Sequence, residues 1–166
     1  MRLFKTAQKN LMLPGSGVLK RPAAVSPTNK IIGMDPEEFR GLVSAAWDLI
    51  PDKFRSRMEN IALVVEPEPS AHQLERSRVP RGSTLFGLYE GRPLTVRSVF
   101  DSFAMPDRIT IFQGPHERAA RTREHLAKLV EDTVWHEVAH YFGMDEAQVR
   151  SAERNRRSVE RTRKNL

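Results

Sequence analysis

The chain has 166 residues, 39% of them hydrophobic, a net charge of +6 and no cysteine. That length suits one domain with appendages, and the apolar fraction is enough to build a core. The lack of thiols excludes disulfides, thiolate metal sites and a cysteine nucleophile, leaving histidine and carboxylate as metal ligands.

No apolar run reaches the roughly 18 residues of a membrane span. The first residues offer only Leu11-Met12-Leu13 as an apolar cluster, too short for a secretory core, so the expected setting is soluble and cytoplasmic. The charge is unevenly spread. Residues 1–33 carry six basic residues and no acid, and the stretch from Arg150 to Leu166 carries seven basic residues against Glu153 and Glu160. The body between them is acidic, which argues against a specific nucleic-acid fold and for two solvated basic tails.

In chain order, residues 1–33 mix prolines and glycines with isolated apolar residues and are predicted to be a flexible basic tail, with a short amphipathic helix over the first twelve as the local alternative. Order is predicted from Met34. Asp35-Pro36-Glu37-Glu38 is a helix start, and Phe39, Leu42, Val43, Ala46, Trp47 and Ile50 keep helical spacing until Pro51. A short helix over 52–60 should follow. The run 61–66, IALVVE, suits a central strand. The polar stretch 66–83 reads as a long loop carrying a solvated His72. Segments 84–89 and 94–99 predict a hairpin turning at Glu90-Gly91-Arg92-Pro93, and DRITIF, 107–112, predicts another strand.

Gly114-Pro115 then opens a helical segment, broken near Thr122, in which Leu126, Val130, Val134 and Val138 step by four along the buried side. His116 and His125 fall at its exposed start. On the neighbouring stripe lie His136, Glu137 and His140 in the H-E-x-x-H spacing. An i, i+4 pair places both imidazoles on one face, where they can share a zinc ion. Glu137 stands about 100° round the helix from His136, so it is placed to reach a water on the metal as a general base.

A catalytic zinc usually takes three protein ligands and keeps a fourth position for water. The third should come from just beyond Gly143, the residue best able to adopt the left-handed conformation that ends the helix. Three residues past that glycine stands Glu146, the preferred ligand. Asp145 remains the alternative, although Asp145-Glu146-Ala147-Gln148 also reads as a capping box in which Asp145 opens a last helix.

Four stretches, ENIALVVEPEP (59–69), LFGLYEGRPLTVRS (85–98), PDRITIFQGPHERAA (106–120) and TVWHEVAHYFGMDE (133–146), together resemble the small zincin-like metallopeptidase family of bacteria over roughly residues 34–150. The resemblance implies an α+β fold, a minimal zincin-like domain in which a small mixed β-sheet packs against the H-E-x-x-H helix and an N-terminal helix. It also implies zinc on His136 and His140, Glu137 as the base and an acidic third ligand at Glu146, where the family usually has Asp. On this reading 34–150 is the domain, 1–33 the N-terminal tail and 151–166 a basic C-terminal tail. Glu160 stands 24 residues after His136, a spacing that resembles that of thermolysin-like enzymes, but it falls in that Arg-rich tail and is read as coincidental.

The leading expectation is a zinc-dependent metallopeptidase that hydrolyses peptide bonds through a zinc-activated water, its peptide or protein substrate aligned along an exposed sheet edge. Tyr89 is chemically able to assist the oxyanion. The rival expectation is a non-catalytic, zinc-stabilised binding module that recruits an acidic partner through its basic tails.

Overall fold

The computed structural model describes residues 2–8, 33–77, 79, 82–96 and 106–164. It is an α+β domain. In chain order the elements are β1 (Arg2–Gln8), α1 (Pro36–Asp48), α2 (Asp52–Arg55), β2 (Ile61–Glu66), α3 (Ala71–Arg76), β3 (Thr84–Gly91), a 3-10 turn over Leu94–Val96, β4 (Asp107–Phe112), α4 (Gln113–Ala119), α5 (Arg123–Tyr141) and α6 (Glu146–Lys164). The strands form one mixed sheet in the order β1-β3-β4-β2, with β3 antiparallel to both of its neighbours and β2 parallel to β4.

The sheet is covered by α5. Leu126, Val130 and Val134 are fully buried and Val138 nearly so, and they pack with Tyr89, Ile109 and Ile111 of the sheet and with Phe39, Val43 and Ala46 of α1. Each fully buried aliphatic side chain contributes about 1.5–3 kcal/mol, so this stripe fixes the depth and rotation of α5. The start of α1 is set by Asp35, whose Oδ1 accepts from Glu37 N at 2.8 Å, with Pro36 in the first turn. Thr122 caps α5 in the same way, accepting from His125 N at 3.1 Å, which makes the break between α4 and α5.

Four segments differ from the sequence reading. Residues 2–8, expected within a flexible tail, form β1 on the outer edge of β3; residues 9–32 lie outside the described part. The second arm of the expected hairpin is instead the 3-10 turn at 94–96, and residues 97–100 are outside the described part. The reason is pairing: β1 and β4 already take both edges of β3, so residues 94–96 have no place beside it as a strand. The polar connection after β2 contains α3, opened by a capping box between Ser70 and Gln73. Residues 151–164, expected as a solvated tail, continue α6. No helix among the described residues is long and apolar enough to cross a membrane.

Candidate metal centre

The last turns of α5 carry His136, Glu137 and His140, which are 5%, 0% and 0% exposed. Because the aliphatic stripe is clamped between sheet and α1, the adjoining histidine stripe is held at fixed depth, with the two imidazole centroids 4.7 Å apart. The helix then ends in a Schellman turn: Gly143 N donates to His140 O at 2.9 Å and Met144 N to Ala139 O at 3.1 Å, with Gly143 at φ +86°. Thr95, from the 3-10 turn, packs against Gly143 where a side chain would stand. This bend does two things. It brings the Met144 carbonyl to 2.9 Å from His140 Nδ1, and it starts α6 beside the histidines.

Asp145 is the cap of α6. Its Oδ1 accepts from Gln148 N at 2.9 Å while Asp145 N donates to Gln148 Oε1 at 2.8 Å, a complete capping box on the surface. The next residue, Glu146, turns inward. Its Oε2 stands 3.4 Å from His136 Nε2 and 3.5 Å from His140 Nε2, and one donor atom from each of these three residues lies within 4.8 Å of the others. Ligands about 2.0–2.1 Å from a tetrahedral ion stand about 3.3–3.4 Å from one another, so both separations match edges of a zinc tetrahedron. His136 Nε2 is buried and has no hydrogen-bond partner, and its other nitrogen is taken, since Nδ1 lies 2.8 Å from Glu153 Oε1. With both Nδ1 atoms held from behind, both Nε2 atoms are left to face Glu146. The residues present fit a divalent cation.

The electrostatics point the same way. Burial pulls the His136 imidazole down, but the carboxylates of Glu146 and Glu153 and the charge of Glu137 outweigh it and push its pKa up to about 10. Burial raises the Glu146 carboxyl, yet His136, His140 and Arg150 hold it well below the usual carboxylate range. Several acids facing a buried imidazole make a site that favours positive charge.

Glu137 points to the sheet side. A Cβ built on Gly87 of β3 would meet its Oε1 at 2.8 Å, so the strand backbone roofs this carboxylate directly. Tyr89, the sequence candidate for oxyanion assistance, is fully buried and donates its hydroxyl to Asp107 Oδ2 at 2.8 Å. His72 and His125 are exposed and outside the cluster. His116 is the correction: expected on the surface, it is fully buried, with Nδ1 2.7 Å from Phe112 O and Nε2 3.0 Å from Thr133 Oγ1. The chain passes from β4 into α4 without a loop, which turns His116 inward against Phe39 and Phe86.

Sequence reasoning missed Glu153 altogether, as part of a basic tail. The available signal was its spacing of seven from Glu146, two helical turns and therefore one face. A family model described as a zincin-like metallopeptidase matches residues 58–156, more than half of the chain and including His136, Glu137, His140, Glu146 and Glu153. No curated protein matches the sequence.

Proposed function

The chain belongs to the zincin-like metallopeptidase family, and from that premise we propose that it is a zinc-dependent peptidase using His136, His140 and Glu146 as ligands and Glu137 as general base. The observation that carries the proposal is the pair of separations from Glu146 Oε2 to the two Nε2 atoms, 3.4 and 3.5 Å, with each ring's far nitrogen already bonded. A bound zinc supplies Lewis acidity, lowering the pKa of water and polarising a carbonyl.

The protein's own contribution follows from burial. Glu137 is fully buried, one residue along α5 from His136, where it can take a proton from an attacking water and pass it to the leaving amine. The roof of β3 over Glu137 limits its rotamers, so the base is held rather than searched for. The free sheet edge expected to align a substrate is not available at β3, because β1 is paired along it.

The test combines elemental analysis with cleavage of a peptide library by the purified full chain. The wild type should carry one zinc per chain, and Glu137→Gln should keep that zinc while losing hydrolysis. A wild type without stoichiometric metal, or a Glu137→Gln variant cleaving at the wild-type rate, overturns the reading.

A further inference from the structure

We propose that Glu153 is a positioning residue for the metal, fixing the orientation and tautomer of His136 from behind; this rests on the metal reading above and adds a residue to it. The two imidazoles are held differently. His140 Nδ1 meets a backbone carbonyl, that of Met144, at 2.9 Å, whereas His136 Nδ1 meets the Glu153 carboxylate at 2.8 Å. A carboxylate behind a ligand histidine aligns the ring and makes the opposite nitrogen a stronger donor, which a neutral carbonyl does less.

The arrangement comes from one helix. Glu146 and Glu153 are two turns apart on α6, so both face α5, and they approach opposite nitrogens of the same ring: Glu146 Oε2 stands 3.4 Å from Nε2, and Glu153 Oε1 2.8 Å from Nδ1. The His136 imidazole is thus gripped between two carboxylates of α6. The helix is in turn pinned to α5 one turn further on. Arg156 donates to Glu131 Oε1 at 2.8 Å, pairs with Asp132, and lies over the Trp135 ring at 5.4 Å. Beside this pair is an apolar pocket of about 260 Å³ walled by Phe54, Trp135, Phe142, Met144 and Val149.

The experiment measures the zinc dissociation constant by chelator competition for the full-length wild type, Glu153→Gln and Glu153→Ala, together with the visible spectrum of the cobalt-substituted proteins. Glu153→Ala should bind zinc about 10–100-fold more weakly. Glu153→Gln, which keeps an acceptor for Nδ1–H but no charge, should fall between it and the wild type and shift the cobalt absorption bands. A purely structural role would lower the melting temperature of the metal-free protein and leave the spectrum of the loaded protein alone. If Glu153→Ala does not fold, the isosteric Glu153→Gln decides: affinity within twofold of wild type and an unshifted cobalt spectrum overturn the proposal. A wild type that binds no zinc sinks the metal reading itself, whereas zinc binding without peptide cleavage removes the peptidase assignment and leaves the role of Glu153 standing.

Discussion

Gly87 of β3 lies directly against Glu137 of α5: a Cβ added to the glycine would stand 2.8 Å from Glu137 Oε1 and 2.7 Å from Thr133 Cγ2. Real Cβ atoms do not tolerate such contacts, so a side chain here must push β3 away from α5 or swing Glu137 aside. Gly87→Ala should therefore cost about 1–3 kcal/mol of stability and reduce peptide turnover more than tenfold while zinc affinity stays near wild type. Adding Thr133→Ser removes the methyl in the way and should restore part of both. Kinetics and zinc titration on the two variants check this; a Gly87→Ala protein with full turnover would show that the base has room to spare.

His116 gives the domain an acid-sensitive point. Burial lowers its pKa to about 4, against hydrogen bonds from its surroundings that favour the charged form. The unfolded chain, with an ordinary histidine near 6.5, binds a proton that the folded chain refuses between these values, so this residue makes stability rise with pH across that window. Its contribution is fully present above about pH 6.5 and is lost as the pH falls toward 4, up to about 3 kcal/mol. Denaturant melts at pH 7 and pH 4.5 should show wild type losing about 2 kcal/mol more than His116→Gln over that interval, both proteins being kept in the same metal state. Equal losses would mean that His116 is protonated within the fold.

What the sequence disclosed and what it hid divide along a physical line. His136, Glu137 and His140 were legible because their relation is set by one helix's periodicity, and Gly143 because a left-handed residue ending a helix depends on its own backbone. The capping role of Asp145 was legible because a capping box is local too, although Asp145 also stayed open as the alternative to Glu146 for the third ligand. Glu153 was not legible, since whether α6 folds back over α5 depends on Arg156 finding Glu131 and Asp132, a tertiary event. His116 was missed for a similar reason. Its neighbours Glu117 and Arg118 read as surface, and its burial is decided by Phe39 and Phe86, which come from other elements. Residues 94–96 show the reverse error, a good local strand pattern that becomes a 3-10 turn beside a strand whose two edges are both occupied.

The occupant of one of those edges supplies the last prediction. β1 runs antiparallel along β3 with Thr6 level with Gly87, the same residue that roofs Glu137. Its backbone therefore fills the strand position nearest the proposed base, where an extended peptide adding to the sheet would lie. A chain starting at residue 10 leaves the outer edge of β3 unpaired, and such an edge pairs readily with another strand. Peptide substrates should accordingly bind the truncated chain more tightly, with KM lowered severalfold and kcat little changed, because the proposed metal ligands and the proposed base Glu137 all lie on α5 and α6. Sedimentation at the assay concentration should accompany the kinetics, since an open edge can also pair with a second copy. A truncated monomer with unaltered KM would show that substrate approaches the zinc without using β3, and that β1 is a structural edge strand alone.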